Sequence, residues 1–105
     1  VVGSAQNTAT CIQMLADIDG DDLGPDRAVG VPGLSATVSE MLAVLEEVGG
    51  PKARSLVEMK YDPDVDALVR SWPAALDDRR GRELGLPADA DLESMVRAYA
   101  ETLNR

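Results

Sequence analysis

The sequence has 105 residues, of which 45% are apolar but only 3% aromatic, and its formal charge is −9 with no histidine and no phenylalanine. That length gives one domain or a piece of one, residues 1–105, with a modest aliphatic core. The charge excludes a general nucleic-acid binder and a protein held on an anionic membrane, because both need a basic surface.

The elements follow in chain order. Val2, Ala5, Ala9, Ile12, Leu15 and Ile18 recur at helical spacing over residues 1–18. The chain is therefore read as entering in mid-helix and, with no initial methionine, as truncated or processed. Asp19 to Asp26 (DGDDLGPD) is a polar turn. Its acids do not make an EF-hand: counting from Asp17, the sixth place is Asp22 instead of glycine and the twelfth is Ala28 instead of glutamate. No metal site is expected there. Arg27 to Val31 is short, partly β-branched and bounded by turns, which predicts a strand ended by Pro32-Gly33.

Thr37-Val38-Ser39-Glu40 fits a capping box, followed by a helix that buries Val38, Met41, Leu42, Leu45 and Val48 and closes at Gly49-Gly50-Pro51. Ser55 to Tyr61 alternates Leu56, Glu58 and Lys60 against Val57, Met59 and Tyr61, the pattern of a second strand with one better-buried face. Asp62-Pro63 opens another helix, with Val65, Leu68, Val69 and Trp72 on one face and Pro73 as its stop. Asp77 or Asp78 can cap a short helix ended by Gly85, with Pro87 just beyond. The last helix starts near Asp89 or Asp91 and aligns Leu92, Met95, Val96, Tyr99 and Leu103. The expected class is a mostly helical α/β chain of about five helices and two short strands, in the order α-β-α-β-α-α-α. Two strands make a poor sheet alone, so their edges are expected to pair outside this chain.

The inventory of reactive groups is thin. Without histidine there is no His base and no His-ligated zinc, and Cys11 has nothing to activate it, so a small packing role fits better. No P-loop and no GxGxxG turn is present, so no catalytic and no cofactor-binding residue is assigned. Sequence-adjacent acids such as Glu46/Glu47 diverge on a helix and read as a solvated face. Arg70, Arg79, Arg80 and Arg82 form either an anion-gripping patch beside Trp72 or ion pairs with Asp77, Asp78 and Glu83, and the second is commoner. Trp72, the single tryptophan, is either a core plug or the wall of a pocket. No apolar run nears the roughly 20 residues of a membrane helix, the N-terminus lacks signal-peptide order, and a lone cysteine suits a reducing cytoplasm.

Three stretches in this order carry a family likeness: ADIDGDDLGPDRAVGVPGLSATVSEMLAVLEEVGG, YDPDVDALVRSWPAALDDRRGRELGL and DADLESMVRAYAETL. They resemble the C-terminal region of NAD-dependent epimerase/dehydratase proteins, the extended short-chain dehydrogenase/reductase family, and most of all its D-erythronate dehydrogenase-like members. Threonine dehydrogenases of that family carry a similar Ser-Trp-Pro followed by an Asp-Asp/Arg helix. The resemblance implies an oxidoreductase or epimerase in two parts, an N-terminal Rossmann domain that holds NAD(P) and a Tyr-xxx-Lys catalytic group, and a smaller lobe that closes over the substrate. Here Tyr61 and Tyr99 are followed four residues on by Val65 and Leu103, so the catalytic pair is missing. The resemblance thus implies the substrate lobe alone, binding no cofactor itself, with Ser71, Trp72 and Arg70 as candidate lining for a small hydroxy acid or sugar-derived substrate. Its expected partners are the missing Rossmann domain and, through the apolar surface left bare, further copies of itself. The alternative is a stand-alone acidic helical interaction module.

Overall fold

In the computed structural model, which describes residues 1–103, the chain does not enter in mid-helix. The Ser4 hydroxyl accepts the Asn7 N–H at 3.0 Å and caps α1, Ala5–Asp17. Upstream, Val2 and Leu34 form an isolated antiparallel bridge, each N–H donating to the other's carbonyl at 2.8 Å. The polar turn that follows α1 contains one helical turn, α2 (Gly20–Leu23), because the Asp19 carboxylate accepts the Asp21 N–H at 3.0 Å.

Helix α3 spans Val38–Ser55, and the threonine half of its capping box forms, with Glu40 N–H donating to Thr37 Oγ1 at 3.1 Å. As expected, Gly49-Gly50-Pro51 closes the first segment of this span, and a second short segment follows it. Gly50 takes φ 81°, a left-handed conformation that breaks the hydrogen-bond ladder. Pro51 then restarts a short helical segment at a position where its absent N–H has no partner to lose. Helix α4 (Pro63–Arg70) opens as expected, the Asp62 carboxylate accepting from Asp64 and Val65 at 2.9 and 3.2 Å, and its cap at Ser71 lies two residues before Pro73. Helix α5 is Arg79–Glu83, with Gly85 turning the chain at φ 86°. Helix α6 is Leu92–Leu103, capped by Asp91, which accepts the Ser94 N–H at 2.7 Å.

The described residues are mostly helical, and neither expected strand forms. Around Arg27–Val31 the backbone acceptors are claimed by α5 instead of by a neighbouring strand. The Arg80 guanidinium donates to the carbonyls of Leu23, Asp26 and Ala28, the last two at 2.6 and 3.0 Å. Gly81, buried in α5, lies against the Gly30 carbonyl. Ser55 is absorbed into α3 and Leu56 turns in right-handed helical geometry. The rest of that segment, through Tyr61, stays irregular, since no strand among the described residues is there to complete its ladder.

Packing is sparse. Cys11 and Leu86 are the buried apolar residues of the described chain, joined by a fully buried Pro32. The inward face of α1 is not the expected Val2–Ile18 stripe but one that passes through Asn7 and Cys11, leaving Ile12 61% exposed. Asn7 Nδ2 and the Cys11 thiol both donate to the Pro87 carbonyl, at 2.9 and 3.5 Å. Ser4 donates its N–H and hydroxyl to the Asp89 carboxylate at 2.9 and 2.7 Å. Polar bonds to the segment before α6 therefore set the rotation of α1, and its apolar side is left uncovered. Among the described helices, only α3 and α6 pack on each other.

The outcome is a plate of 51 × 38 × 17 Å. Its radius of gyration is 16.8 Å, against about 13 Å for a compact chain of this length. Its accessible surface of 7899 Å² exceeds by about 2,200 Å² the roughly 5,700 Å² expected of a compact monomer of 11.1 kDa.

Candidate functional site

The corner after α4 holds the residues singled out from the sequence. Ser35 Oγ donates to the Ala74 carbonyl at 2.9 Å and so ties the approach to α3 to the Ser71-Trp72-Pro73 corner. Between them opens a groove of about 460 Å³. Trp72 and Arg70 line one wall, and Ser35, Thr37 and Glu40 line the other. Ser71 is not in the lining, because its hydroxyl turns back and donates to the Leu68 carbonyl at 2.6 Å. Trp72 is 62% exposed, which removes the core-plug reading and leaves that of an open wall. Ser35, Thr37 and Glu40 were missed as site residues. Thr37 and Glu40 are visible in sequence as a cap, but only the tertiary Ser35–Ala74 bond carries them to Trp72.

The arginines do not form a free anion patch. Arg70 pairs with Asp66 at 2.7 Å, Arg79 with Asp77 at 2.6 Å, Arg82 with Asp78 at 3.0 Å and Arg80 with Asp26 at 3.5 Å. Of the four, only Arg70 borders the corner groove, and its side chain is 78% exposed, free to exchange Asp66 for a ligand carboxylate.

The helix N-termini are taken by the chain's own oxygens. Ser4 and Thr37 cap α1 and α3, while carboxylates of Asp19, Asp62 and Asp91 cap α2, α4 and α6. At α5 the Asp77 carboxylate takes the Arg79 N–H at 3.2 Å. At α2, α4, α5 and α6 an incoming pyrophosphate would meet a carboxylate where it needs open N–H groups.

Two of these carboxylates give a pH prediction. Hydrogen bonds from the side chain and backbone of Arg79 pull the Asp77 carboxyl down to about 2, and bonds from Ser94 lower that of Asp91. A depressed folded-state pKa means the contribution is complete above the ordinary value near 3.8 and disappears as pH falls through about 2. Asp77→Asn should lower the urea midpoint at pH 5 and match the wild type only well below pH 2. Equal midpoints at pH 5 would contradict the pairing.

The chain is 35% identical over 85 residues to the D-erythronate dehydrogenase of Cupriavidus necator, a match covering 81% of the chain and 26% of that protein. The chain is a relative of the D-erythronate dehydrogenases. The enzyme of that name from Haemophilus influenzae is 27% identical over 75 residues, covering 71% of the chain and 24% of the relative. This agrees with the likeness to NAD-dependent epimerase/dehydratase proteins. The chain spans about a quarter of the length of these curated relatives. No family profile matches the sequence, and no solved structure matches it. Among the described residues no helix is long and apolar enough to cross a membrane.

Proposed function

We propose that these residues are the substrate-positioning lobe of an NAD(P)-dependent dehydrogenase whose substrate is D-erythronate or a similar small hydroxy acid. The observation that carries the reading is the open corner groove, with an exposed indole, an exchangeable guanidinium and hydroxyls around one space, on a chain related to D-erythronate dehydrogenases. In this role Arg70 would hold the carboxylate, Ser35 and Thr37 would meet substrate hydroxyls, and Trp72 would exclude water. These are positioning effects, which raise rate by fixing geometry instead of by supplying a reactive group.

The capped helix ends favour a lobe that holds no dinucleotide of its own, so hydride transfer belongs to a cofactor-binding domain that also supplies the base. The excess exposed surface supports the same division of labour, because a lobe needs a body to lie against. It equally suits a second reading, an interaction module that binds through bare helix faces, and that reading predicts no affinity for hydroxy acids.

Trp72 is the single tryptophan, so its emission reports on the groove directly. Titration with D-erythronate should change that emission saturably, and Arg70→Ala should weaken the binding about tenfold through loss of a charge-assisted bond. An emission that does not respond, or binding indifferent to Arg70, would overturn the assignment.

A further inference from the structure

The corner groove sets a negative side chain against its positive one. Of the side chains that line this space, Arg70 and Glu40 are the charged ones, and they stand on opposite walls. The Glu40 N–H donates to Thr37 Oγ1 at 3.1 Å, but the Glu40 carboxylate does not reach back to the Thr37 N–H, so its half of the capping box stays open. Among the described residues no basic side chain pairs with it, whereas Asp26, Asp66, Asp77, Asp78 and Glu93 each hold an arginine. The Glu40 carboxylate is thus left to the groove.

Its neighbours on that wall have defined hydrogen-bonding roles. The Ser35 hydroxyl commits its proton to the Ala74 carbonyl at 2.9 Å and meets a ligand with lone pairs. Thr37 Oγ1 accepts the Glu40 N–H and keeps its own proton to donate. Opposite Arg70, therefore, acceptors prevail, and alcohol O–H groups satisfy them. A second ligand carboxylate has no proton to offer and would lie beside Glu40 as a like charge.

Resting on the substrate-positioning role of the groove, we propose that Glu40 determines specificity within it. Arg70 holds the one carboxylate of the substrate, and Glu40 accepts a hydroxyl proton from the far end. A contact for the right ligand and a repulsion for the wrong one act together. The class admitted is polyhydroxy monoacids, and diacids of the same length are turned away.

The test is a Trp72 emission titration of the 105-residue chain at pH 7 with D-erythronate and with meso-tartrate. meso-Tartrate keeps the four carbons and both secondary hydroxyls, and replaces the terminal hydroxymethyl by a carboxylate. The wild type should bind D-erythronate about tenfold more tightly. Glu40→Gln keeps the size of the side chain and the backbone cap bond, at an exposed position, so the far-UV spectrum should not change. It should weaken D-erythronate about threefold and tighten meso-tartrate about threefold, which removes the preference. Glu47→Gln removes the same charge from an exposed site on α3 outside the groove and should leave the preference intact. A wild type that binds both ligands equally, a Glu40→Gln chain that keeps the preference, or a Glu47→Gln chain that loses it would overturn the role of Glu40. If Arg70-dependent binding of D-erythronate persists in those cases, the substrate-positioning role still stands. An emission that ignores D-erythronate would overturn both.

Discussion

Gly81→Ala is expected to destabilise the chain by about 3 kcal/mol, the upper range for forcing a methyl into a filled contact. In a free helix the same change would stabilise by about 1 kcal/mol, since alanine loses less backbone entropy than glycine. The sign therefore reports on the tertiary contact. A Cβ at Gly81 would press into the Gly30 carbonyl oxygen, a backbone atom with no rotamer to yield, and stand 3.3 Å from Pro32 Cδ. Gly30 has little room to retreat, because a Cβ there would already be 3.2 Å from the Asp77 carbonyl. Urea unfolding followed by far-UV circular dichroism measures the effect. A midpoint that rises would show that the segment through Gly30 does not rest on α5.

Asp89→Ala should cost about 2–3 kcal/mol, the range for losing hydrogen bonds to a charged, partly buried acceptor. The Asp89 carboxylate takes both the N–H and the hydroxyl of Ser4, 85 positions away in sequence, and so fastens the start of α1 to the approach to α6. Its loss leaves Ser4 as a cap with no anchor. The bond between Asn7 Nδ2 and the Pro87 carbonyl then holds α1, with help from the weaker thiol contact and from the Val2–Leu34 bridge upstream. A double-mutant cycle with Ser4→Ala isolates the hydroxyl bond, since alanine keeps the backbone N–H that Asp89 also accepts. The two losses should be less than additive, the Ser4 variant carrying in addition the loss of its cap bond to Asn7. Additive losses would mean that the two residues act separately.

The helices were legible wherever a side chain could settle its own cap. Asp62-Pro63, Thr37 with Glu40, and Asp91 act within four residues, and each starts a helix where the sequence places it. Ser4 was passed over because small residues run on either side of it and the chain before it looked helical. The two expected strands do not form, for a different reason. Period-two patterns predict a strand only where an edge exists to receive it, and the Ala28 carbonyl goes to Arg80 instead. The rotation of α1 was likewise decided far away, by Asp89 and Pro87. Local periodicity favours Ile12 over Cys11 as the buried position, yet Cys11 is 0% exposed and Ile12 61%. In the corner, Arg70 and Trp72 line the groove, while Ser71 bonds to its own helix. Hydroxyl direction is a matter of one rotamer, which sequence does not encode.

The proposed role places the substrate at one corner of a thin plate. The most direct test is an amide and indole NMR titration of the chain, run once with D-erythronate and once with NAD. D-erythronate should shift the Trp72 indole N–H together with Ser35, Thr37 and Glu40, while NAD should shift none of them. Shifts produced by NAD at the helix N-termini, or a D-erythronate response that spares the corner, would contradict a substrate-positioning lobe.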